Sequence, residues 1–242
     1  MKLSQQTAIV TGAAQGLGAA IARRFCEAGA KTVMMDYNGA ALEETAKGCG
    51  GNAVPVVVDL SDAGSTQKAI DAVLAEHGSI STLVHNAAIL IETPFAEEDF
   101  SSFFKTVNVG LQAGFQLAHA LWPSMVAAGG GALVFVSSRS GIQGFANESA
   151  YCAAKHALEG FSQSLAMEGE PHGILSNTVT PGMYMRTPMS DRNYTEELKT
   201  KWVDPMLLTS AFVALAERSR PDLNGKRLSA WDLSQEIDGA GA

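Results

Sequence analysis

The sequence carries little charge, few aromatics and almost no cysteine. Only 17% of its 242 residues are charged, and 17 Lys and Arg face 25 Asp and Glu, for a formal net charge of −8. That anionic surplus argues against nucleic acid as a partner, because binding to a phosphate backbone is driven by clustered cations. Three cysteines, Cys26, Cys49 and Cys152, fall at no ligand spacing, so neither a disulfide framework nor a metal site is expected. Long apolar runs are also missing. The longest uncharged stretch, 106–138, is interrupted by Asn108, Gln112, Gln116 and His119, and Pro123 and Gly129 to Gly131 are expected to break it. It reads as a buried helix followed by a strand rather than a membrane span. The opening MKLSQQTAIV lacks the basic start and apolar core of a secretory signal, which predicts a cytoplasmic protein.

What the sequence does have is 46% hydrophobic residues over a length suited to one core, so residues 1–242 are expected to form a single domain. Short β-branched runs recur: TAIVTG, KTVMMD, AVPVVVDL, STLVHNAA, GALVFVSS and ILSNTVTPG. Their nearly continuous apolar character suits parallel strands covered on both faces. Helical periodicity fills the intervals, as in Leu17, Ile21, Phe25 and Ala28 before Gly29, and Ile70, Val73, Leu74 and His77 before Gly78. A third stripe, Tyr151, Ala154, Lys155, Leu158 and Leu165, ends at Gly169 and Pro171. The expected fold is a Rossmann-type, doubly wound α/β sheet of about seven strands, the last near Lys226 to Ala230. Residues 183–209 mix Met, aromatic and charged residues without a strand pattern and are read as a substrate lid, and WDLSQEIDGAGA as a tail.

The first strand runs into Gly12-Ala13-Ala14-Gln15-Gly16-Leu17-Gly18 and then a helix, a context in which backbone N–H groups can approach a pyrophosphate. The second strand ends at Asp36, 18 residues past Gly18, where a carboxylate can accept bonds from both ribose hydroxyls of NAD and would repel the 2′-phosphate of NADP. Neither Gln15 nor Tyr37 offers that phosphate a cation, so NAD is the expected cofactor. Tyr151 and Lys155 lie four apart, on one helix face. Bringing a phenol from a pKa near 10 to about 7 takes about 4 kcal/mol, the order that one charge about 4 Å away supplies at an effective dielectric near 20. A Tyr and a Lys at this spacing are expected by chance about 0.15 times in such a sequence, so context must decide. Upstream, Ser137 and Ser138 end the strand GALVFVSS, at the sheet edge where doubly wound folds bind ligands.

The ordered set TGAAQGLG, Asp59-Leu60, Asn86-Ala87-Ala88, Asn108, Ser138, Tyr151 with Lys155, and Pro181-Gly182 resembles the short-chain dehydrogenases/reductases over Thr7 to Gly182, with Ser138 thirteen residues before Tyr151. The resemblance implies that Tyr151 is the general acid/base and that Ser138 bonds the reacting oxygen. It implies that Lys155 holds the nicotinamide ribose and lowers the Tyr151 pKa, and that Asn108 holds a water in a proton relay. The implied cofactor contacts are Gly12, Gln15, Gly16, Leu17, Gly18, Asp36, Asp59, Leu60, Asn86, Ala87, Tyr151, Lys155, Pro181, Gly182 and Thr187. The implied reaction is NAD-dependent interconversion of a secondary alcohol and a ketone. A NAD(H)-binding sensor or scaffold, and a cofactor-retaining epimerase or lyase, are the competing readings. The implied assembly is a homotetramer, or a dimer, through helices at 96–128 and 149–168, with a small-molecule substrate and no membrane partner.

The sequence departs from the family in three places: Ala88 stands where Asn-Ala-Gly is usual, Thr187 comes six rather than five residues after Pro181, and Asn224 to Leu233 replaces the common ending. Arg139 and Arg186 could bind an anionic substrate or be surface residues. Met183, Tyr184, Met185, Met189, Tyr194, Trp202 and Met206 could line a pocket or fill a core. His85 and His156 are read as structural.

Overall fold

The computed structural model describes residues 1–240. Its strands are β1 (Thr7–Thr11), β2 (Lys31–Asp36), β3 (Ala53–Val57), β4 (Thr82–His85), β5 (Gly131–Val136), β6 (Ile174–Thr180) and β7 (Arg227–Ser229). They form one sheet in the order β3-β2-β1-β4-β5-β6-β7, every neighbouring pair parallel. The helices are α1 (Gly16–Glu27), α2 (Gly39–Lys47), α3 (Ala63–His77), α4 (Phe100–Val107), α5 (Ala113–Ala127), α6 (Ser149–Gly169), α7 (Pro188–Asn193), α8 (Glu196–Lys199), α9 (Thr209–Ala216) and α10 (Ala230–Ala240). None of the described helices is long and apolar enough to cross a membrane.

Strand residues alternate between two cores, as the two-residue period requires. Ala8 and Val10 of β1, Met34 of β2 and Val134 and Val136 of β5 meet Leu17, Ile21 and Phe25 of α1 and Phe212 and Leu215 of α9 on one face. Ile9, Val33, Met35, Leu133 and Phe135 meet Ile70 of α3, Leu117 and Leu121 of α5 and Leu158 of α6 on the other. Both faces are covered, which is why the strands read as unbroken apolar runs. Connections from β1 and from β4 leave in opposite directions across the sheet, so a crevice opens between these neighbours at their carboxyl ends.

Two expectations are corrected. Pro123 does not break the chain but lies inside α5. An interior proline costs a helix about 3 kcal/mol, and burial of Leu117, Leu121 and Met125 on the same helix outweighs it. The turn comes instead at Gly129 and Gly130, both at positive φ. The C-terminal segment, read as a tail, forms α10. Leu233 and Ala230 are buried with α9, Ser234 Oγ accepts from Ala211 N at 3.0 Å, and Asp238 accepts from Ser210 Oγ at 2.7 Å. Of the WDLSQEIDGAGA stretch, Gly241 and Ala242 lie outside the described residues.

Candidate active site

A cleft of about 1040 Å³ runs along the carboxyl edge of the sheet. One end is walled by Gly12, Gln15, Gly16, Leu17, Asp36, Asp59, Leu60, Asn86 and Ala87, and the other by Ser138, Tyr151, Lys155, Tyr184 and Tyr194. At the first end β1 passes into α1 through a loop with Gly12 at φ 65° and Gly16 at φ 59°. A Cβ on Gly18 would sit 2.1 Å from the Gly12 carbonyl oxygen, so only glycine fits where helix and loop cross. Asn86 is a clamp for this loop: its Nδ2 donates to the Thr11 and Gly12 carbonyls at 3.1 and 3.3 Å. The Asp36 carboxylate accepts from Ala14 N at 3.1 Å and Asn38 N at 3.0 Å, which fixes it at the cleft wall. Among the described residues no cation pairs with it. Asp59 accepts from Ser61 N and Oγ, and these bonds lower its pKa.

At the second end, β5 delivers Ser137 and Ser138 and α6 delivers Tyr151 and Lys155. Burial dominates at Tyr151 and raises its pKa, the neighbouring Ser138 hydroxyl favours the anion, and the charge of Glu148 adds to the rise. Lys155 is fully buried. Its Nζ donates to the Val136 carbonyl at 2.6 Å and lies 5.4 Å from the Tyr151 ring centre. Burial lowers the Lys155 pKa to about 8, against an opposing pull from Glu159. Glu159 sits one turn beyond Lys155 and accepts from Ser137 Oγ, from Thr178 Oγ1 at 2.6 Å and from Arg227 Nε at 3.2 Å. Arg227 Nη2 also donates to the Ser138 carbonyl at 3.0 Å, which ties β7 to the serine.

Asn108 opens a five-residue π-helical segment (Asn108–Gln112) between α4 and α5, and its Nδ2 donates to the Ser61 carbonyl at 3.1 Å. It does not line the cleft, whereas its neighbour Val109 does. His85 faces this segment. Its Nδ1 pairs with Thr11 Oγ1 at 3.1 Å, and because that hydroxyl already accepts from Asn86 N and Ala87 N, its own proton goes to Nδ1, which leaves the His85 proton on Nε2, buried near Val109 and Gly110 without a hydrogen-bond partner among the described residues. Burial first, then the charge of Lys155, lowers the His85 pKa to about 4.

Within residues 183–209, Tyr184, Met185, Met189 and Tyr194 line the cleft, while Met183, Trp202 and Met206 do not. Tyr184 and Tyr194 meet edge to face with ring centres 5.5 Å apart. This segment is tied by Val203 N to the Tyr184 carbonyl at 2.8 Å and Arg186 N to the Val203 carbonyl at 3.0 Å. Thr187 caps α7 through Ser190 N, lines the cleft and packs over Gly16. Gly182 lies outside the lining, pressed against Ser229 with no room for a Cβ, and Arg186 is exposed, while Pro181 and Arg139 line the cleft.

The family pattern described as short chain dehydrogenase matches residues 6–198. The chain belongs to the short-chain dehydrogenase/reductase family. A 2,5-dichloro-2,5-cyclohexadiene-1,4-diol dehydrogenase of Sphingobium indicum is 37% identical over 196 residues, covering 78% of this chain and 76% of the relative. An L-xylulose reductase of Bos taurus is 33% identical, covering 83% and 80%. A crystal structure from Beutenbergia cavernae, described as a candidate NAD(P)-dependent gluconate 5-dehydrogenase with NADP bound at low occupancy, superposes with a TM-score of 0.84 at 29% identity, covering 93% and 96%.

Three features of this short-chain dehydrogenase/reductase were missed in the sequence. Glu159 continues the Tyr151 and Lys155 spacing by one more turn, a signal that was available. Arg227 lies 68 residues from Glu159, and no local pattern marks the pair. Glu148 lines the cleft and accepts from Ser140 Oγ at 2.8 Å, three residues ahead of Tyr151 and just outside the helical stripe that begins there.

Proposed function

We propose that the chain is a NAD-dependent oxidoreductase that interconverts a small secondary alcohol, or polyol, and the corresponding ketone. The observation that carries this reading is the single cleft that runs from the glycine loop and Asp36 to Ser138, Tyr151 and Lys155. The first end fits a dinucleotide: the N-terminus of α1 faces it through bare glycine backbone, favourable for a pyrophosphate. Asp36, held by two backbone N–H groups and paired with no cation among the described residues, can accept from ribose hydroxyls and disfavours a phosphate in their place. Asp59, Leu60, Ala87, Pro181 and Thr187 complete the walls that would hold the cofactor. When bound, the dinucleotide supplies the hydride acceptor, so that alcohol and NAD⁺ give ketone, NADH and one proton.

The chain's own groups handle that proton. Tyr151 Oη accepts it from the substrate hydroxyl and returns it in the reverse direction, while Ser138 Oγ donates to the reacting oxygen. Burial opposes the phenolate, so activation rests on the Lys155 ammonium 5.4 Å from the ring centre, a charge worth about 3 kcal/mol at that range and an effective dielectric near 20. Asn108, its amide nitrogen held by Ser61, keeps its carbonyl oxygen for a water that leads protons outward. The chain self-associates, as a homotetramer or a dimer, through the exposed aromatic face of Phe100, Phe104 and Phe115, which light scattering checks.

The test is NADH formation from secondary alcohols with a parallel NADH titration. Tyr151→Phe abolishes turnover and leaves NADH binding intact; retained turnover removes Tyr151 from its role. Asp36→Ala weakens NAD more than NADP; equal losses remove Asp36 from cofactor choice.

A further inference from the structure

We propose that Glu148 is a substrate-binding residue that accepts a second hydroxyl of the substrate, so that the preferred substrate is an uncharged diol or polyol rather than a mono-alcohol or a hydroxy acid. This inference rests on the dehydrogenase reading above and specifies what occupies the alcohol end of the same cleft.

The geometry of one short loop carries it. Asn147 takes φ 64°, an uncommon left-handed conformation outside glycine, and its carbonyl accepts from Thr93 N at 2.8 Å. That turn delivers Glu148 to the cleft wall between Ser140 and Tyr151. Ser140 Oγ donates to Oε2 at 2.8 Å, whereas Oε1 has no donor among the described residues. The carboxylate is thus oriented by one protein hydroxyl and keeps acceptor capacity facing the cavity.

Among the described residues Glu148 forms no ion pair, and Arg139, the guanidinium lining the same wall, is turned over the Phe145 ring at 5.5 Å from its centre. Burial raises the pKa of both Tyr151 and Tyr194, and the charge of Glu148 adds to each rise. A carboxylate here therefore works against the base it adjoins until a donor from the substrate takes up part of its charge. An acceptor-only group selects ligands that donate, which means hydroxyls, and repels carboxylates and phosphates. Tyr194 and Ser140, beside it on the wall, add hydroxyls that can both donate and accept, suited to a polyhydroxylated chain or ring.

The experiment compares kcat/KM for cyclohexane-1,2-diol, cyclohexanol and 2-hydroxycyclohexanecarboxylate with NAD⁺, in the wild-type chain, Glu148→Gln and Glu148→Leu. The wild type is expected to prefer the diol to cyclohexanol by about 10- to 100-fold, the worth of one charge-assisted hydrogen bond, and to handle the carboxylate worst. Glu148→Leu collapses the diol preference and moves the acidic limb of the pH profile on cyclohexanol to lower pH, because the charge beside Tyr151 is gone. Glu148→Gln, which keeps the shape and an acceptor, retains part of the diol preference and improves the carboxylate relative to the diol. A diol to cyclohexanol ratio unchanged in both variants overturns the inference while leaving the dehydrogenase reading intact, as does a wild type that favours the carboxylate. A wild type that binds NADH but oxidises none of the three overturns both.

Discussion

Lys155 is the buried group whose removal separates function from stability most cleanly. The residue is 2% exposed, and burial lowers its pKa from 10.5 to about 8. A shift of this size corresponds to about 3 kcal/mol at 1.36 kcal/mol per unit, stability that the charged lysine withholds from the folded state. The sign follows from proton counts. Between pH 8 and 10.5 the unfolded chain still holds the lysine proton and the folded chain has released it, so stability from this group rises with pH across that window. Below pH 8 both states are protonated and the penalty is fully present. Lys155→Met, similar in length and uncharged, is expected to be inactive yet more stable at pH 7, by up to about 3 kcal/mol less the loss of the bond to Val136. Urea unfolding of both proteins at a series of pH values supplies the difference curve, which cancels the tyrosines and cysteines that also titrate there. From pH 7.5 to 9.5 the wild type is expected to gain about 2 kcal/mol on the variant. A flat difference, or a variant less stable at pH 7, refutes the reasoning that Lys155 sits charged and desolvated beneath the cleft.

His85 makes the complementary prediction on the acid side. With its folded pKa lowered to about 4 from 6.5, the unfolded state binds the extra proton between those values, so stability falls by about 3 kcal/mol as the pH drops through the window. His85→Gln is expected to flatten that limb in urea titrations, and an unchanged limb would mean that the imidazole is not buried neutral. Glu159→Leu leaves the Ser137 and Thr178 hydroxyls and the Arg227 guanidinium without their acceptor, and should cost about 3 kcal/mol, discounted from a fully buried pair because the Arg227 side chain is 28% exposed. At roughly 2–4 °C per kcal/mol this lowers the melting temperature by about 6–12 °C. Arg227→Leu should cost less, and the double variant should recover part of the sum; strict additivity would mean that the two side chains do not interact.

The sheet was legible because its signal is local and repeated. Strands buried on both faces must be apolar throughout, and β5, with Val134 and Val136 in one core and Leu133 and Phe135 in the other, announces its burial without reference to anything distant. Pro123 misled because its propensity is local while its compensation is not: Leu117, Leu121 and Met125 hold α5 together against a sheet that the helix sequence does not mention. The C-terminal helix was hidden for the related reason that Ser234 and Asp238 find their partners, Ala211 N and Ser210, on α9.

The candidate site divides along the same line, and its chemistry follows from the division. The glycine loop, Asp36, Tyr151 and Lys155 are visible because backbone geometry and the helical repeat set their spacing. What decides how those groups behave comes from elsewhere in the chain. Arg227 on the last strand grips the Ser138 carbonyl and Glu159 together, so β7 completes the serine's support although the segment around it departs from the family ending. The π-helical turn at Asn108 brings the Val109 and Gly110 carbonyls toward His85, whose low pKa leaves it neutral below Lys155. A charged imidazole there would oppose the Lys155 ammonium, on which the proposed activation of Tyr151 depends. Neutral His85, anionic Glu159 and the tie to Val136 therefore act on one quantity, the charge of Lys155 at neutral pH, and each lies on a different element from the tyrosine–lysine face or a turn beyond it.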